Sequence, residues 1–217
     1  MGKFFFQKGY TLIELMIGLL VGMIVLTGTL YSFLTLVSSA RDISNSSKLN
    51  RESSFLETII AGELRRTGYW PPDGSSGTSP YTSIADLVVT SNCALYSYMN
   101  DSVTPAVSMA RGIAYDAAGR RVLYGATTLP LSSCSTSGWV EIVPASTIYI
   151  DAFEFDLVCR DVTTGAVVPD SDCTLTNYDI LSREVKYAFT ASVVSDSDWV
   201  TSVSSAIKVP NDWATGN

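Results

Sequence analysis

The sequence predicts an α+β protein: one long N-terminal helix, its first half long and apolar enough to cross a membrane, packed on an antiparallel β-sheet. Three observations carry this. Leu15 to Val37 is 23 residues without a charge. Helical periodicity continues beyond it, with Leu49, Leu56, Ile60 and Leu64 at intervals of seven, four and four. Glu184 to Val194 then alternates apolar with polar residues, the period of a half-buried strand.

As a helix, the uncharged run would be about 35 Å long at ~1.5 Å per residue, enough for a ~30 Å hydrocarbon core. Lys3 and Lys8 precede it, so the short head should stay cytoplasmic and the remainder face outward. A cleavable secretory signal would also begin this way, and Ser38 and Ala40 supply small residues for a cut after Ala40. Against that, the run exceeds the usual apolar length and an acid, Glu14, stands at its start. A plain single-pass anchor is the other simple reading.

The helical stripe beyond the membrane is widened by Phe55 and Ile59, while Lys48, Arg51, Glu52, Glu57 and Arg65 take the other face. Gly68 and Pro71-Pro72 end it, so one helix is expected over about 11–66. Asp73 to Pro80 reads as a Gly/Ser-rich loop. Ile113–Tyr115 and Val122–Tyr124 flank a hairpin turn at Asp116-Ala117-Ala118-Gly119. Trp139–Val143 is a short strand. Thr147–Val158 is a long one whose apolar phase slips between Ile150 and Phe153, as at a bulge. In the last, Val185, Tyr187, Phe189, Ala191 and Val193 share one face, with Glu184, Lys186, Thr190 and Ser192 opposite.

Composition narrows the chemistry. The 217 residues suit one sizeable domain. Only 16 % are charged, against ~25 % in an ordinary soluble domain. There is no histidine, which removes His-based triads and His-ligated metals. No nucleophile-elbow, dinucleotide or P-loop glycine motif is present. Of the charges, only Lys3, Lys8 and Glu14 precede residue 41, leaving 12 basic and 20 acidic groups beyond it, a net −8. That balance disfavours nucleic acid, although Arg120-Arg121 could form a local patch. Glu154 and Asp156 share a strand face and could pair as catalytic carboxylates; solvation of the strand explains them as well.

Cys93, Cys134, Cys159 and Cys173 all follow the membrane segment, which favours two disulfides with three possible pairings. The short loop rich in Asp, Thr and Pro favours Cys159–Cys173, leaving Cys93–Cys134. Without a C-x-x-C pair, a zinc site is disfavoured. Asp170, Asp172, Asn177 and Asp179 could offer oxygens to Ca²⁺ but read better as a solvated loop. Trp199 and Trp213 either seal the end of the core or form a contact patch.

The residues around the acid are the most specific feature. Lys8-Gly9-Tyr10-Thr11-Leu12-Ile13-Glu14 joins a basic residue, a Gly, an aromatic and an acid four residues later to an unbroken apolar run. This closely resembles the class III signal of type IV pilins and pseudopilins. The resemblance implies cleavage by a prepilin peptidase between Gly9 and Tyr10, and N-methylation of Tyr10, whose ring stands where most members carry Phe. It divides the chain into a leader (1–9), a transmembrane helix half (10–37), an amphipathic half (38–66) and a β-rich periplasmic domain (67–217), the last two forming one pilin-like fold. Physically, a carboxylate at the hydrocarbon boundary costs a few kcal/mol unless paired or protonated. In a bundle of staggered helices, Glu14 can meet a neighbour's new N-terminal amine, so that it sets the docking height. Gly18 and Gly22 form a G-x-x-x-G spacing for close helix packing.

Glu63 to Tyr69, ELRRTGY, is similar to the helix end of PilW-type minor pilins and J-type minor pseudopilins. Tyr31 stands where major pilins usually carry Pro, which points to low-copy use. The resemblance thus implies a minor pilin of a type IV pilus, most like the PilW type, that primes assembly or sits at the tip. Its partners would be other minor and major pilins, the prepilin peptidase and an inner-membrane assembly platform, with no catalytic residue, cofactor, metal or nucleic acid. A J-type pseudopilin of a type II secretion system, and a DNA-uptake or adhesive pilin, are the alternatives.

Overall fold

The computed structural model describes residues 11–71, 86–103, 106–169, 173 and 181–209. The Gly9–Tyr10 junction, the Asp73–Pro80 loop, the Asp170–Asp179 acids and Trp213 lie outside these residues. The chain divides into two compact units, Met1–Asn45 and Ser46–Asn217. A single helix, α1 (Leu12–Leu64), supplies nearly all that is described of the first unit and the opening element of the second.

Among the described residues the second unit contains two antiparallel sheets where the sequence suggested one. The first, in strand order 1 to 5, is built from β1 (Leu87–Thr90), β2 (Cys93–Asn100), β3 (Val107–Asp116), β4 (Arg121–Ala126) and β5 (Val140–Glu141). The second has the order β7-β6-β8-β9, from β6 (Ile148–Asp161), β7 (Val167–Val168), β8 (Leu181–Val193) and β9 (Asp196–Lys208). Leu49, Leu56, Ile60 and Leu64 of α1 join one core with Tyr96, Ile113 and Val122 of the first sheet and Phe153, Tyr187 and Phe189 of the second. Phe55 is 48 % exposed and does not widen the stripe; Ser53 is buried on that face instead.

The helix ends as its last turn tightens. Gly68 adopts a φ of 70°, which its missing Cβ permits, and donates its N–H to the Ser97 carbonyl at 2.9 Å. Met99 N–H then donates to the Tyr69 carbonyl at 2.9 Å, so the segment after the helix continues the edge of β2 where β1 stops. β2 is covered on both faces and therefore shows no alternation. Its outer face lies under residues 127–139, where Leu131 and Trp139 meet Cys93 and Leu95. Gly112 and Gly125 face each other across β3 and β4, and a Cβ on either would overlap the Trp139 indole. The strand expected over Trp139–Val143 shrinks to Val140–Glu141 because Trp139 lies down on these glycines.

The two sheets meet along β6. Its N–H groups at Ile150 and Phe155 donate to the carbonyls of Arg120 and Ser91, both at 2.8 Å, in the hairpin turns of the first sheet. The slip between Ile150 and Ala152 is the bulge that the apolar phase suggested. The β3–β4 turn is also present, but its left-handed residue is Arg120 (φ 50°) rather than a glycine. In β8 the five apolar residues read from the alternation are all buried, and Ser192 on the opposite face is buried too.

Candidate functional site

In the first unit, Thr11 caps α1, and the Glu14 N–H lies 3.1 Å from its carbonyl and 3.3 Å from its hydroxyl. Glu14 is the one charged residue between Leu12 and Ala40. The large apolar side chains from Leu12 to Leu36 are 52–78 % exposed, so this surface is built for an apolar surrounding. The hydroxyls do not contradict that. Thr27, Thr29, Ser32, Thr35 and Ser38 each donate to a carbonyl three or four residues back, at 2.7–3.0 Å. They need no water. At ~100° per residue, Gly18, Gly22, Val25, Gly28 and Ser32 fall within about 80° of Glu14 around the helix. Met16, Leu19, Met23, Leu30 and Leu34 crowd the opposite side. The same sector also carries Ile17, Val21, Ile24 and Leu36, so the acid heads a mixed face on which Gly18, Gly22 and Gly28 leave places where another helix could approach closely.

In the second unit several polar groups are paired within the fold. Glu63, on the last turn of α1, accepts from the Tyr96 hydroxyl at 2.7 Å and the Tyr124 hydroxyl at 3.3 Å, and pairs with Arg66 at 3.2 Å. Arg66 lies over the Tyr98 ring and Arg111 over Tyr124. Burial, then the Glu63 carboxylate, pushes the Tyr96 hydroxyl far above its ordinary pKa; the same two causes raise Tyr124. Asp86 and Arg183 form a buried bidentate pair at 2.6 and 2.8 Å that ties the start of the first sheet to β8.

Arg120-Arg121 is a locked pair. Arg120 pairs with Asp151 and stacks over Tyr149, while Arg121 bridges Asp116 at 2.9 Å and Glu141 at 2.5 Å. Backbone N–H groups of Gly119 and Ala145, followed by Arg121, hold the Asp116 and Glu141 carboxyls below their usual range. Both arginines are thus matched to carboxylates, which weakens the case for a DNA-binding patch here. Glu154 and Asp156 lie exposed on the outer face of β6, along an open trough of about 410 Å³ with Lys186, Ser204 and Ala206. Cys93 is bonded to Cys134 and Cys159 to Cys173. No group of metal-ligating side chains occurs among the described residues.

Among the described residues, the one long apolar helix with an acid in its first turn and the helix-on-sheets domain fit a membrane-anchored protein of the pilin-like class. Residues 5–30, which span the Gly9–Tyr10 junction and Glu14, match the prokaryotic N-terminal methylation motif, the mark of a prepilin-processed protein. Residues 42–209 match the family model for prepilin peptidase-dependent protein B, and the chain belongs to that family. No curated protein and no solved structure matches it.

Proposed function

We propose that this chain is a low-copy minor pilin of a type IV pilus, most like the PilW type, that helps prime assembly or sits in the tip complex. It is cut between Gly9 and Tyr10, methylated on Tyr10 and held in the inner membrane with its domain in the periplasm. It then docks against other pilins through the face headed by Glu14 and bearing Gly18 and Gly22. The observation that carries the reading is the methylation motif placed directly on an exposed apolar helix half, residues 12–37, whose one charge is Glu14. Its work is recognition between subunits; Glu63, Asp86, Asp116 and Glu141 are held in internal ion pairs with Arg66, Arg183 and Arg121. The helix running without a break from Leu12 to Leu64, with no Pro inside it, agrees with a special subunit rather than a bulk one.

Intact mass and N-terminal sequence of membrane-extracted protein test this. Removal of nine residues from 217 leaves a chain of 208 beginning at N-methylated Tyr10. A chain beginning at Arg41, or an unprocessed one, refutes the processing and with it the assembly role. Glu14→Ala should leave cleavage intact yet reduce co-purification with other pilins several-fold; undiminished co-purification would remove the docking role of the acid. Binding to the minor components of a pilus, rather than those of a type II secretion system, distinguishes the two machines.

A further inference from the structure

The sheet edges of the second unit are treated unequally. The upper edge of β6 is capped by the Ser91 and Arg120 turns, and β1, β5 and β7 have only four, two and two residues. β9 is a 13-residue edge strand, and among the described residues no strand pairs with its outer side. From Trp199 to Ile207 it has no charge, Pro or Gly, and its register with β8 is unbroken from Val200 to Lys208. Natural edges are usually blunted by such devices or by a covering element. The core is also open along this strand. Trp199 and Val203 pack on it yet stay half-exposed, whereas Val185, Tyr187, Phe189 and Ala191 of β8 are at most 2 % exposed.

The ends of the strand specify what fits. Asp196 and Asp198 mark its start and Lys208 its finish. An antiparallel partner strand must therefore begin with an acid, end with a base and carry no charge between. β9 itself meets that description. We propose that β9 is an interface between two copies of this chain, paired edge to edge, antiparallel and centred on Ser202. That register sets Thr201 opposite Val203 of the second copy and Val200 opposite Ser204, covers the partly exposed inner residues of both strands, and brings Asp196 and Asp198, which lie beyond the irregularity that β9 shows before Val200, toward the second copy's Lys208. A parallel arrangement would set acid against acid and Lys208 against Lys208. The contact is isologous, so it closes at two copies instead of propagating. It does not rest on the pilus reading and holds for processed and unprocessed chains alike.

The test uses the full-length protein in detergent. Opposed Cα atoms in an antiparallel pair lie ~4.5–5.5 Å apart, within disulfide range. Ser202→Cys should therefore give a reducible dimer on mild oxidation, while Glu154→Cys, two strands away from the edge, should not. By light scattering, the protein part of the wild-type particle should have twice the mass of one chain. Ser202→Lys, at an exposed position, should halve that mass with an unchanged circular dichroism spectrum. A wild-type mass of one chain overturns the proposal. So does a dimer that survives Ser202→Lys and is linked no better in the Ser202→Cys variant than in Glu154→Cys, since it is then held elsewhere. Cross-linking of the Ser202→Cys variant only to a different subunit on co-expression overturns it as well.

Discussion

The two halves of α1 share one backbone geometry and differ in what their side chains meet. Between Leu12 and Leu36 every large apolar side chain is more than half exposed, all round the helix. Between Leu49 and Leu64 a single stripe is 0–4 % exposed, with charged residues on the other side. A helix apolar all round is specified for a solvent, and one apolar on a stripe is specified for a partner. The first half requires lipid or neighbouring helices; the second half already has its partner in the two sheets. Their responses to mutation should differ accordingly.

No tryptophan precedes residue 46, and Trp70, Trp139 and Trp199 lie in the second unit, so urea unfolding of the full chain followed by tryptophan fluorescence reports on that unit. The largest effect should come from reduction. Cys159–Cys173 closes a loop of 14 and Cys93–Cys134 one of 41, and each bond is worth about 3–4 kcal/mol by chain entropy. The unfolding midpoint should fall steeply in reductant, and four free thiols in the unfolded, unreduced chain would contradict the pairing. Next, Leu56→Ala should cost about 2–5 kcal/mol, because Leu56 is fully buried at the helix–sheet contact. An unchanged midpoint would show that this half of the helix is not part of the core.

Tyr96→Phe should cost about 1–3 kcal/mol near neutral pH by removing a hydrogen bond to the Glu63 carboxylate. It also tests the pH profile. The folded state favours the neutral Tyr96 hydroxyl, so the unfolded chain releases that proton first, near pH 10. Stability from this group is complete below that pH and is lost as pH rises toward the higher folded value. The fall should be shallower in Tyr96→Phe; an identical alkaline slope would exclude Tyr96 as its source. The smallest effect belongs to the first half of the helix. Leu26→Ala should change the unfolding free energy read from the same transition by less than ~0.5 kcal/mol. A shift as large as that of Leu56→Ala would abolish the contrast between the halves.

Much of this was legible because it depends on local period. The membrane run, the helix end at Gly68, the β3–β4 hairpin, the bulge in β6 and the phase of β8 are all statements about neighbouring residues. β2 was hidden because a covering loop buries its second face, and burial on both faces erases alternation. β9 was hidden because it is rich in serine and, apart from Ile207, its apolar residues are exposed or only partly covered. The exposure of Phe55 was also out of reach, since the width of a buried stripe depends on the shape of the sheets beneath it. Within the candidate site, the acid ahead of the apolar run was visible. The Tyr96 partner of Glu63, the Arg183 partner of Asp86 and the Asp151 partner of Arg120 were not, as each lies more than 30 residues away.

By itself, then, the amino-acid order determined the elements whose environment repeats at a fixed period: a helix apolar all round, a helix with one stripe and a strand with one dry face. It also determined the pilin-type head, since that motif is a matter of spacing along the chain. Tertiary structure decided how many sheets there are, which edges are capped and which arginines are neutralised. Those outcomes depend on contacts between distant residues, where the energy of burying or pairing a group is set by what the fold places beside it.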